Sequence, residues 1–169
     1  SVRLRRTLSK GTTEKHLLGC AELAAKHRFK VLKVYMMVGV PDEQPEDIEE
    51  LISFTKEMAK IHPVALGIAP FVPKRNTPMD TDRFAGIKNV DRTLKQIRRG
   101  LSGVVDVRPT SARWAWVEAQ LAQGGPEAGE AVYEAVKNGG VFSDYKRAFK
   151  ALDENTRSPW RATVEQRAL

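Results

Sequence analysis

The sequence predicts an α/β fold with parallel strands, followed by a small helical extension. Three observations carry that expectation. Two strand-length apolar runs, Val31–Val38 (VLKVYMMV) and Val64–Val72, hold few charges, which suits strands of a parallel sheet buried on both faces. Helical patterns precede, separate and follow them, and this alternation implies right-handed crossovers with the strands in chain order. From Ser111 onward the pattern is helical in short pieces, broken at Gly124-Gly125 and Gly139-Gly140.

Each element follows from local chemistry. Thr13 to His27 reads as a helix with Leu17, Ala21 and Ala24 on one face, Thr12 as its cap and Glu14 in its first turn. Cys20, in mid-helix, reads as a small buried hydrophobe. Gly39-Val40-Pro41 ends the first strand abruptly. A second helix spans about Pro45 to Lys60: proline suits its first position, Glu46 and Asp47 suit its positive end, and Ile48, Leu51, Ile52, Thr55, Met58 and Ala59 trace one stripe. The second strand runs into a Pro-rich loop, Pro73 to Asp80. A third helix is expected from Arg83 to Arg99, with Ile87, Val90, Leu94 and Ile97 inward and Gly100 at its end. A short strand at Val104–Val107 closes the unit. After Asp153 no period is left, and 153–169 reads as a flexible tail.

Composition narrows the class without naming a function. No apolar run approaches the roughly 20 residues of a membrane span, and no signal-peptide pattern opens the chain, so a cytoplasmic location without a membrane partner is expected. The single cysteine excludes an internal disulfide. A net charge of +7 suits an anionic partner, but the basic residues are spread from Arg3 to Arg99 rather than gathered with aromatics on one face. Nucleic acid therefore stays open as a partner but is not favoured. His16, His27 and His62 lack any metal-ligand spacing, and no metal site is expected from them. The chain also opens straight into an Arg-rich helical segment with no strand before it, so it is expected to be cut from something larger.

Four segments, in order, resemble radical S-adenosylmethionine (SAM) enzymes, in particular the bacterial ones that often carry a cobalamin-binding domain. Residues 1–12 (SVRLRRTLSKGT) are similar to the segment after the fourth barrel strand. Residues 32–43 (LKVYMMVGVPDE) resemble the fifth strand and its Gly-x-Pro-x-Glu turn. Glu46-Asp47-Ile48 resembles the acidic start of the next helix, and residues 70–78 (PFVPKRNTP) the sixth strand and its loop. The stretches 117–121 and 139–145 look like the helical extension that follows the barrel in that subgroup. Gln44-Pro45 departs from the usual Thr followed by a polar residue, and the family's three-cysteine loop is absent from these residues.

The resemblance implies a partial (β/α) TIM-like barrel over 1–108, a helical extension over 109–152 and the tail beyond. It implies an enzyme that, when complete, binds SAM for reductive cleavage to a 5′-deoxyadenosyl radical at a 4Fe–4S cluster held in a missing N-terminal half. Cobalamin would join where its domain is present. The isolated chain is expected to hold no cofactor and to be inactive, its partners being the missing half or, through open sheet edges, other copies of itself. No residue here is assigned a catalytic role. Lys10 takes the place of a basic residue pairing with the SAM carboxylate, and Ser1 that of a group bonding its ribose or amine. Val38, with Val40, would pack the adenine; Gly39 permits the tight strand exit, and Glu43 would receive backbone N–H groups and pin the turn. Ala69 and Phe71 would offer backbone groups and an apolar wall. Tyr35 and Met37 are expected in the barrel core. The alternative is a stand-alone basic α/β module binding RNA or another anionic partner.

Overall fold

A computed structural model describes residues 1–155. They form two units, residues 1–70 with 89–110, and residues 71–88 with those from 111 onward. The expected tail begins inside the last helix, and the remainder of it lies outside the described residues.

The first unit opens with a short helix, α1 (Val2–Thr7), whose first turn is closed by Ser1 Oγ accepting the Leu4 N–H at 3.2 Å. Helix α2 (Glu14–Lys26) is capped reciprocally: Thr13 Oγ1 accepts the His16 N–H at 3.2 Å, and His16 Nδ1 accepts the Thr13 N–H at 3.3 Å. The cap is thus Thr13 and not Thr12, because only Thr13 stands three residues before an N–H within reach. The buried stripe of α2 is narrow, Ala21 and Ala24, and Cys20 lies exposed beside it rather than buried.

Strands β1 (Leu32–Val38), β2 (Val64–Pro70) and β3 (Asp106–Pro109) form a parallel sheet in chain order, crossed over by α3 (Pro45–Ile61) and α4 (Ile87–Leu101). The register runs from Leu32 opposite Val64 to Val38 opposite Pro70. Leu66, Ile68 and Val38 are fully buried, as are Thr55 and Met58 of α3 and Val90, Ile97 and Leu101 of α4. The α3 stripe is the one its spacing predicts, and Pro45 occupies its first turn.

β1 departs from expectation. Val34 and Val38 are buried, but Lys33, Tyr35 and Met37 on the opposite face are exposed, Tyr35 by 79%. An apolar run on an edge strand does not imply two covered faces, and here Tyr35 instead lies over Gly67, where a Cβ would sit 2.8 Å from its ring. α4 begins at Ile87 rather than Arg83, directly after Gly86 in the left-handed conformation (φ 83°). Gly100 does not end α4 but lies inside it, where a Cβ would come within 2.8 Å of Ile52; the left-handed residue beyond the helix is Gly103. β3 starts two residues late because the Val104 and Val105 N–H groups still bond to Leu101 O, closing the helix end.

In the second unit, helices α5 (Ala112–Gln123), α6 (Glu127–Lys137) and α7 (Phe142–Asn155) enclose Val117, Ala128, Ala131 and Phe149. Trp116 stands edge-on to Phe142 and Phe149. The loop 71–86 is bound to α5 and its C-terminal cap: Lys74 pairs with Glu118, Gln123 Nε2 donates to Pro73 O at 3.0 Å, and Arg75 donates to Gly124 O. Among the described residues no helix is long and apolar enough to cross a membrane.

Leu66→Ala should cost about 2–5 kcal/mol of unfolding free energy, whereas Tyr35→Ala should stay within about 0.5 kcal/mol. Urea titration of both variants checks the contrast. Equal costs would mean that the exposed face of β1 is covered in solution.

Candidate functional site

The C-terminal end of β1 is shaped by a turn that closes on itself. Gly39 is left-handed (φ 70°), a conformation that a Cβ would strain, and its N–H donates to Glu43 Oε2 at 2.9 Å. The Glu43 N–H donates to Val40 O at 3.0 Å, and Asp42 is also left-handed (φ 62°). The chain therefore leaves the strand at Val38, turns through residues 39–44 and enters α3 at Pro45. Burial raises the pKa of Glu43 above the ordinary glutamate value, with the N–H groups of Gly39 and Val40 pulling the other way.

Asp47, in the first turn of α3, gathers a second set of contacts. Its carboxylate accepts the Gln44 N–H at 2.8 Å and pairs with Arg3 of α1, and it also bonds to Ser1. Burial pushes its pKa up, but these hydrogen bonds and the Arg3 charge outweigh that, and the net shift is downward. Arg3 donates in addition to Asp42 O at 2.8 Å. Arg5 pairs with Glu14 at the start of α2.

Between these elements and the unpaired edge of β1 lies a largely apolar cleft of 580 Å³. Leu4, Leu8, Leu17, Met37, Leu51 and Phe54 supply much of its wall. Of the residues singled out from the sequence, Ser1, Lys10, Glu43 and Ala69 line this one cleft. Lys10 is exposed and makes no ion pair among the described residues. Val38 is fully buried, so its side chain belongs to the core, while Val40 reaches the cleft. The Gly39 N–H is already engaged by Glu43. Phe71 is buried and begins the second unit. Sequence reasoning missed Asp47 as an anchor and Cys20, Leu51 and Phe54 as cleft walls. The acidic start of α3 was a signal for Asp47, but its partner stands 44 residues earlier, and no local pattern links them.

The turn yields a test. Glu43→Ala leaves the Gly39 N–H without its acceptor and should cost about 1–3 kcal/mol. Glu43→Gln keeps an acceptor oxygen and removes the charge. Because the folded state holds the Glu43 proton more tightly than the unfolded state does, its contribution falls as pH rises through the carboxylate range toward the raised pKa. The Gln variant should lose that slope, and chemical denaturation between acidic and neutral pH checks it.

No family model and no solved structure matches the chain. An uncharacterized protein of Methanocaldococcus jannaschii is similar to it, 36% identical over 102 residues that make up 57% of this chain. The matched region is 23% of that relative's length.

Proposed function

We propose that this chain is the C-terminal half of a radical SAM catalytic barrel, and that its β1-edge cleft is one side of the SAM site. The observation that carries the reading is the pinned exit of a parallel strand, Gly39 held by Glu43, beside a cleft with an apolar wall and an exposed cation that has no ion pair among the described residues. In parallel α/β folds, ligands are taken up at the C-terminal ends of strands. The exposed ammonium of Lys10 suits the SAM carboxylate, and Val40, Met37 and Ala69 offer an apolar wall for the adenine. Glu43 and Asp47 hold the turn and α1 in place and leave ligand contact to their neighbours. Ser1 acts first as the helix cap, with its hydroxyl turned to Leu4 and Asp47.

An iron–sulfur cluster does not fit these residues. Among the described residues no group of three or more His, Cys, Asp or Glu side chains could hold a metal ion, and Cys20 supplies one thiolate. The cluster chemistry is therefore assigned to the half of the protein that the resemblance places before this one. Held between the two halves, SAM would supply the 5′-deoxyadenosyl radical on one-electron reduction by the cluster, and this half would supply shape and charge.

The alternative, a stand-alone basic module binding RNA or another anionic partner, is not favoured, since part of the basic surface is engaged within the chain. Arg3, Arg5, Arg108 and Arg147 are each paired with a carboxylate.

After anaerobic reconstitution with iron and sulfide, the full-length protein containing this chain should form 5′-deoxyadenosine from SAM and a reductant. The isolated chain should form none and should show no cluster absorption. Its Lys10 contact alone is worth roughly 1 kcal/mol or less, too little to offset the entropy lost on binding. A stoichiometric cluster on the isolated chain, or a full-length protein that never cleaves SAM, would overturn the reading.

A further inference from the structure

The position of Lys10 is set from a distance. Its N–H donates to Arg5 O at 2.8 Å, so Lys10 is fastened to the last turn of α1 and goes where α1 goes. α1 is six residues long, too short to be stable alone, and has no extensive backbone packing against another element. What holds it is the burial of Leu4 and a few polar ties at its two ends. At one end Arg3 bonds both the Asp42 carbonyl and the Asp47 carboxylate; at the other Arg5 pairs with Glu14. Of these the Arg3 fork is the stronger, since Asp47 is 7% exposed and cannot turn to water for a substitute partner. Asp47 is itself fixed by the Gln44 N–H, at the end of the turn that Glu43 pins.

We propose that Arg3 and Asp47 are positioning residues: their ion pair latches residues 1–12 against the turn after β1 and so places the Lys10 ammonium over the cleft. This rests on the reading of the cleft as a SAM site for the identity of the ligand, but not for the latch. The lowered pKa of Asp47 has the matching sign: its bonds to Ser1, to the Gln44 N–H and to Arg3 together stabilise the folded state above the ordinary aspartate range, and that contribution is lost as pH falls through the depressed value. Arg3 does not itself line the cleft, but its partner Asp47 does, as do Ser1, Leu4, Leu8 and Lys10 of its own segment. The latch acts through the segment rather than by contact.

The experiment uses the full-length protein and reads the latch and the ligand separately. In hydrogen exchange, Arg3→Ala and Asp47→Asn should speed exchange at the Leu8, Ser9 and Lys10 amides, which are bonded within this segment, and leave α4 unchanged. Arg3→Lys should restore part of the protection. Unchanged protection at these amides in Arg3→Ala would overturn the proposal, whatever the protein binds. SAM calorimetry on the reconstituted protein then follows. Lys10→Ala and Arg3→Ala should each weaken binding about three- to fivefold, and the double variant no more than Lys10→Ala alone. Additive losses would mean that Arg3 acts other than through Lys10, which sinks the positioning role. If SAM does not bind the unaltered protein, the ligand assignment fails, and the exchange result alone decides the latch.

Discussion

The turn after β1 is closed by the hydrogen bond from the Gly39 N–H to the Glu43 carboxylate, with a second from the Glu43 N–H to Val40 O beside it. It holds a left-handed glycine at the end of a buried parallel strand and brings the chain back to start α3 in the right place. With the turn fixed, Asp42 presents its carbonyl and Asp47 its carboxylate to Arg3, and α1 is drawn to the β1 edge. The cost is a carboxyl group partly withdrawn from water, visible as the raised pKa of Glu43. Without the Gly39–Glu43 bond, the turn that sets Asp42 and Asp47 opposite Arg3 loses one of its ties.

The two acids nearest the cleft have opposite pKa shifts for reasons that follow from their partners. Glu43 receives neutral N–H donors and loses more to burial than it regains. Asp47 gains more from the hydrogen bonds of Ser1 and Gln44 and from the Arg3 guanidinium than burial takes away. The site therefore has one carboxylate whose charged form its partners favour, where it holds α1, and one whose charged form burial disfavours, where it closes a backbone turn. Among the described residues Lys10 has no carboxylate partner, which suits the proposed carboxylate-bearing ligand. In this way the charge pattern of the cleft follows from structural bonds made elsewhere in the same turn.

Local features were legible in the sequence, and contacts between distant segments were not. The strand ended by Gly39, the helix opened by Pro45 with its Ile48–Ala59 stripe, and the in-order parallel strands all follow from periodicity and from the conformational limits of glycine and proline. The Glu43–Gly39 bond spans four residues and was within reach of the same reasoning. The Arg3–Asp47 pair joins residues that only the fold brings together. Tyr35 and Met37 were misplaced because hydrophobic composition does not reveal which strand is an edge. Cys20 was misplaced because a helical stripe read from alanines does not fix its width. The comparison with the archaeal relative extends over only part of both chains and leaves the site's chemistry to the residues themselves.

The measurement that bears most directly on the account is a crystal structure of the full-length protein with SAM and its cluster. The account expects the SAM carboxylate within hydrogen-bond reach of the Lys10 ammonium and the adenine against Val40 and Ala69, with the Gly39–Glu43 bond intact beside it. SAM bound away from the end of β1, or a β1-edge cleft filled by protein side chains with Lys10 turned outward, would contradict it.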